Sequence, residues 1–252
     1  MKARLKDEAI LLRIIPYSDN SLILKAFARQ QGLISLLTKG IRKKAEGSLL
    51  SPLNIYEFNF YGPGESELCL LTDISLLRET QLSHKIEAWT AALCATELYS
   101  QLIMPMDENP AWFSLLSEYL DYLEKTGGRA ILIWWRFLLR VFKMLGTPLE
   151  PGVCTLCQTV GSDTMFWDKA SASILCGECL GFAQNPARYE KLSPKAAQIM
   201  ALLPRIGLHL DELKPDGESV AQLNSIFSQH YQAHFHKNLR LKSLGVLEQF
   251  YG

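Results

Sequence analysis

Two CxxC pairs constrain this chain more than any other feature. Cys154 and Cys157 form the first, Cys176 and Cys179 the second, with eighteen residues between them. Each turn offers two thiolates and leaves backbone N–H groups free to donate to the sulfurs. Together they supply the four soft ligands of a tetrahedral structural zinc, at a spacing that fits the zinc pattern. The intervening TMFWDKASASIL reads as a short hairpin: TMFW suits a strand, KASAS a turn, and Ile174-Leu175 lead into the second pair. Two knuckles joined by a hairpin make a zinc ribbon. Four cysteines close the coordination shell, so Cys154, Cys157, Cys176 and Cys179 are read as ligands of a structural Zn2+.

Other thiol chemistries fit less well. A dithiol redox site needs one CxxC beside a βαβ pattern, and none is evident. An iron–sulfur cluster would use four thiolates but needs no hairpin. The H-x-E partner of a zinc deaminase is missing, since His84-Lys-Ile-Glu87 has the wrong spacing. Cys69 in LCLL and Cys94 in AALCATELY read as small buried hydrophobes.

The opening MKARLKDEAILLRI lacks an apolar core followed by a small-residue cleavage site, so it does not read as a secretory signal. The richest apolar run, 131–145, is broken by Arg136, Arg140 and Lys143. No stretch reaches the roughly eighteen apolar residues of a membrane span. A cytoplasmic protein without membrane contact is expected. The formal net charge is zero, yet residues 1–50 hold ten Lys/Arg against four acids, while 51–80 hold one Arg against five. The N-terminal segment is therefore basic, which permits a phosphate-binding surface.

Residues 1–80 read as β. EAILLRII, NSLILKAFA, GLISLLTKG, NIYEFNFYG and ELCLLTDISLL are short apolar runs bounded by turn signals. Five such strands suggest a small barrel, and an SH3-like barrel would read similarly. From residue 81 the period becomes helical. Ser83 is a candidate N-cap, Asn109-Pro110 opens a second helix, and a third runs from about Arg129 to Leu145. After the cysteines, helices follow from Ser193-Pro194, from about Glu218 to His236, and near 241–250. The four-cysteine segment, 150–183, is thus an insertion in a helical domain, 81–252. In the third helix Arg136, Arg140 and Lys143 share one face. Residues 219–247 contain no acid; His230, His234 and His236 lack a nearby carboxylate and read as part of a basic surface rather than a second metal site.

The order of these parts resembles the bacterial DNA repair protein RecO family of recombination mediators. EAILLRIIPYSDNSLILKAFARQQGLISLLTKGIRKK is similar to that family's N-terminal barrel, RFLLRVFKMLGTPLEPGVCTLC to its helix leading into the first CxxC, and NLRLKSLGVLEQF to its C-terminal helix. The resemblance covers almost the whole chain. It implies an α+β fold: a five-stranded OB-fold barrel over 1–80 that binds DNA, then an all-helical domain over 81–252 with an inserted zinc knuckle. It implies a non-catalytic role in annealing complementary strands and loading recombinase on coated single strands. The implied partners are single- and double-stranded DNA, RecR, and the acidic C-terminal tail of the single-stranded-DNA-binding protein. Arg136 resembles the family's tail-contacting arginine; helical spacing adds Arg140 and Lys143. Many members carry Arg where this chain has Leu244, which weakens any contact there. For DNA, Arg29, Lys39, Arg42, Lys43 and Lys44 form the densest cationic cluster. Tyr17, Phe27, Tyr56, Phe58 and Phe60 are aromatic candidates for base stacking, the last three sharing a strand face that reads better as barrel core. A protein-interaction adaptor that does not touch DNA is the competing reading.

Overall fold

A computed structural model describes residues 4–40, 50–63, 67–102, 110–126, 128–161, 164–182, 185 and 188–252. The chain divides into two compact units, Met1–Gly127 and Gly128–Gly252.

The first unit begins with β1 (Arg4–Ser18), β2 (Ser21–Ala28), β3 (Gly32–Lys39), β4 (Ile55–Tyr61) and β5 (Cys69–Arg78). They close into a barrel in the order β1-β2-β3-β5-β4. The pairing is antiparallel except for β3 and β5, which run parallel. This is the OB-fold expected from the resemblance. Strand β1 closes the ring because it serves two partners: 4–10 pair with β4 and 9–18 with β2, with a bulge between Leu11 and Arg13. A bulge bends and twists its strand, which lets one strand turn the barrel's corner.

Period-two alternation fills the interior. Leu22, Leu24, Ala26 and Ala28 face inward from β2, Ile34 and Leu36 from β3, and Cys69 and Leu71 from β5. Tyr56, Phe58 and Phe60 fill the same core from β4, so they pack the barrel and do not form a stacking platform. The β2–β3 turn is held from β1, where Asp7 Oδ2 accepts the Gln30 and Gln31 N–H groups at 2.9 Å each.

Beyond β5 a short 3-10 turn, Leu82–His84, precedes α1 (Ile86–Leu102). Ser83 sits inside that turn instead of capping the helix; Lys85 keeps a non-helical backbone and bonds back to Leu82. Helix α2 (Pro110–Thr126) starts at the proline marked by the sequence, while Asn109 lies outside the described residues. The two helices cover one side of the barrel. Phe27 meets Tyr99 edge-on at 5.2 Å, and Tyr99 meets Trp112 likewise at 5.6 Å. Arg78 at the end of β5 pairs with Asp121 and Glu124 of α2.

The second unit is built on α3 (Ala130–Met144), whose Ile131, Trp134, Trp135 and Phe142 are fully buried. Then come β6 (Met165–Asp168), β7 (Ser173–Cys176), the single turn α4 (Gly177–Leu180) and β8 (Tyr189–Lys191). The remaining helices are α5 (Pro194–Leu202), α6 (Gly217–Phe235) and α7 (Lys242–Glu248), with a 3-10 segment, Leu203–Leu208, after α5. Ser193 caps α5 by accepting the Ala196 N–H, and Asp216 with Ser219 forms a capping box on α6. Trp135 Nε1 donates to Asn224 of α6 at 2.7 Å, and Asn224 donates in turn to Glu248 of α7 at 2.7 Å.

His230 is buried against Phe142, with ring centroids 4.7 Å apart. Its Nε2 lies 2.9 Å from the Thr147 carbonyl, so Nε2 must carry the proton. Burial holds its pKa below the ordinary value, and the neighbouring His234 adds to this. A base with a depressed folded pKa stabilises the fold fully above its unfolded pKa of about 6.5, and that contribution falls as pH drops below it. We expect stability measured by urea unfolding to fall between about pH 7.5 and pH 5.5. His230→Gln keeps a donor for Thr147 and should flatten that dependence.

Candidate metal centre and basic surfaces

The first knuckle is shaped by its own backbone. Cys154 N–H donates to Thr159 O at 2.9 Å, Gln158 N–H to Cys154 O at 2.9 Å, and Gly161 N–H to Gly152 O at 2.9 Å. Gly152 has a positive φ of 75°, and a Cβ there would sit 2.6 Å from Ala201 Cα of α5, so only glycine fits. The second knuckle leaves β7 at Cys176 and winds into α4. Strand pairing sets Met165 opposite Cys176, and Thr155 N–H reaches Ile174 O at 2.8 Å. The two knuckles are thereby brought together at one end of the hairpin.

The Sγ atoms of Cys154, Cys157, Cys176 and Cys179 all lie within 4.8 Å of one another, and Cys157 and Cys176 stand 3.6 Å apart. Sulfurs at about 2.3 Å from a tetrahedral zinc would be roughly 3.8 Å apart. The donor set and its spacing therefore fit a metal ion. All four are free thiols, Cys154 and Cys176 buried, Cys157 exposed and Cys179 between. Burial opposes ionisation of Cys154, yet the N–H groups of Cys157, Cys176 and Leu156 outweigh it and lower its pKa to about 6. Cys179 is pushed up to about 12, first by the Cys157 thiol and then by burial and the other sulfurs. Binding a metal ion would replace the thiol protons that remain, so affinity should rise with pH. Cys69 and Cys94 are buried in the first unit, as small hydrophobes.

Sequence reasoning found the hairpin but missed its third strand. The sheet order is β7-β6-β8, with β8 only three residues long and without an apolar run. Arg188, just before β8, pairs with the buried Asp168 at the end of β6. The sheet is fastened to α6 by polar side chains: Trp167 Nε1 donates to Gln229 at 2.7 Å, and Gln222 bridges Lys191 O and Ser193 N at 2.8 Å each. Glutamines carry no sequence signal for such contacts.

The predicted cationic residues are placed unevenly. Arg29 donates to Glu8 at 2.8 Å and lies over the Phe113 ring at 4.2 Å, so its guanidinium already serves the fold. Lys39 is exposed at the end of β3, while Arg42, Lys43 and Lys44 lie outside the described residues. Of the aromatic candidates, Phe27 is buried and Tyr17 is 60 % exposed. In α3 the Arg136 guanidinium bonds to the carbonyls of Leu203 and Pro204, whereas Arg140 and Lys143 are exposed.

A closed OB-fold barrel followed by helices that carry a four-cysteine knuckle defines a narrow class of architecture. Comparison with known proteins narrows it further. Residues 1–79 match the model for the recombination protein O N terminal domain, and residues 83–244 the model for its C terminal domain. The DNA repair protein RecO of Halalkalibacterium halodurans is 25 % identical over 251 residues, covering 97 % of this chain and 94 % of the relative. That of Pelotomaculum thermopropionicum is 26 % identical over 253 residues, again 97 % and 94 %. That of Chlorobium phaeobacteroides is 31 % identical over 152 residues, 59 % of this chain and 57 % of the relative. The chain belongs to the RecO family of DNA repair proteins. Among the described residues, no helix is long and apolar enough to cross a membrane.

A thiol-deletion test separates the cluster from the two isolated cysteines. Cys176→Ser should lower bound metal from one ion per chain to near zero, read by atomic emission. It should also lower the thermal midpoint by more than about 5 °C. Cys94→Ser should leave metal content unchanged.

Proposed function

We propose that this protein is a non-catalytic recombination mediator in DNA repair. In this reading the barrel, 1–80, binds single- and double-stranded DNA and supports annealing of complementary strands. The helical part, 81–252, with its metal-binding insertion at 150–183, serves protein partners, and the protein helps load recombinase on coated single strands in the cytoplasm. Membership of the RecO family is the observation that carries this reading, and the closed OB-fold barrel agrees with it.

Zinc is the ion proposed for Cys154, Cys157, Cys176 and Cys179, because four thiolates in a closed tetrahedral shell suit it. When bound it would supply folding energy and no open coordination position. The proposed DNA contacts are Lys39 with Arg42, Lys43 and Lys44, a run of cations leaving β3. Arg29 takes a supporting role, since Glu8 and Phe113 already hold it. The proposed site for the acidic tail of the single-stranded-DNA-binding protein is the α3 face of Arg136, Arg140 and Lys143. RecR is the further partner.

Two substitutions test the separation of these surfaces. Arg42, Lys43 and Lys44 changed together to Glu should weaken single-strand binding by at least about tenfold at low salt and flatten its salt dependence, read by fluorescence anisotropy. Unaltered affinity would remove the 42–44 run from the interface, and no salt-dependent DNA binding by the parent chain would favour the adaptor. Arg136→Ala should weaken an acidic tail peptide by roughly tenfold and leave DNA affinity unchanged. Equal losses for both ligands would refute separate sites.

A further inference from the structure

The knuckles carry three strongly exposed apolar side chains. Phe182 is 89 % exposed, Val160 71 % and Leu156 69 %. Leu156 lies inside the first CxxC, Val160 three residues after it and Phe182 three residues after the second. Residues 155–161 are exposed without interruption. The hydrogen-bonded turns hold this segment outward, and the small core beneath consists of Cys154, Leu175 and Cys176 with Cys179 and Tyr189. These side chains therefore cannot collapse into the fold. Single exposed apolar residues are ordinary, but three within three residues of one thiol cluster suit a surface that another molecule covers.

Charge indicates what kind of molecule. No Lys or Arg occurs between Lys143 and Lys169, nor between Lys169 and Arg188. Lys169 pairs with Glu190 and Arg188 with Asp168, at the end of the hairpin opposite the thiols. Glu178 is exposed within the second knuckle. Four thiolates around a divalent ion leave a net charge of about −2. The segments that form the knuckles thus bring apolar side chains and acidic charge and no cation of their own, which disfavours phosphates and acidic peptides alike.

We propose that the metal knuckle is a docking tip for a protein surface that presents Lys or Arg around an apolar centre. This rests on the metal reading of the four cysteines. Leu156 and Phe182 are the apolar anchors, Glu178 and the thiolate charge fix orientation, and the bound ion holds the two knuckles in one arrangement.

The test uses the full chain, assayed for zinc, and two labelled helical peptides of equal length, one of Leu and Lys, the other of Leu and Glu. The Leu/Lys peptide should bind the parent chain at least about tenfold tighter than it binds the Leu156→Ser/Phe182→Ser double variant, and Glu178→Lys should lose a similar factor. The Leu/Glu peptide should show no such difference. Both variants keep all four cysteines and should keep their zinc. Equal Leu/Lys binding by parent and variants would overturn the proposal. So would preference for Leu/Glu, or sedimentation showing that the tip pairs two copies of this chain. A parent chain without metal would sink the metal reading and the tip's charge with it, whereas bound zinc without peptide preference would overturn the docking tip alone.

Discussion

Strand β1 pairs with two neighbours, and the closed barrel depends on this. A sheet of five short strands would otherwise leave two edges of unpaired N–H and C=O groups, which cost free energy when buried and recruit other chains when exposed. The bulge between Leu11 and Arg13 lets residues 4–10 complete the ring with β4 while 9–18 pair with β2. Closure then directs alternate residues inward, and the core of Tyr56, Phe58, Phe60 and the small β2 side chains follows. Asp7, on the same strand, holds the β2–β3 turn. Helices α1 and α2 cover one side of the barrel's outer surface.

The second unit solves a different problem. A three-stranded sheet with strands of three or four residues buries little apolar surface, too little to order itself. Two other interactions make up for this. Metal ligation, where it occurs, couples binding energy directly to folding. Polar side chains of α6 reach the sheet at Trp167, Lys191 and Ser193, so the knuckles inherit the rigidity of a nineteen-residue helix. The same helix meets the aromatic face of α3 through Phe227 and His230.

Two of the cationic residues also have acceptors within the fold. Arg29 and Arg136 stood among the sequence candidates for DNA and for an acidic tail. Each is held by intramolecular acceptors, Arg29 by Glu8 and Arg136 by the carbonyls that follow α5. Arginine's planar fork favours such arrangements, because it satisfies several acceptors at little further entropic cost. Lysines such as Lys39 and Lys143, with flexible stems, stay at the surface.

Much of this protein was legible in its sequence, for physical reasons. Strands and helices declare themselves by period, so five barrel strands and the major helices were legible, although β1 runs on to Ser18 and Ser83 lies in a turn instead of capping α1. The CxxC spacing required that four thiols converge, because short turns joined by a hairpin leave few other arrangements. Tertiary structure alone decided what depends on long-range contact. The parallel meeting of β3 with β5, the strand β8, the Asp168–Arg188 pair and the glutamines on α6 have no local signature. The outward placement of Leu156, Val160 and Phe182 is of the same kind, since a lone apolar residue in a turn can face either way. Local sequence sets which conformations are accessible, and only the folded chain determines which side chains remain uncovered.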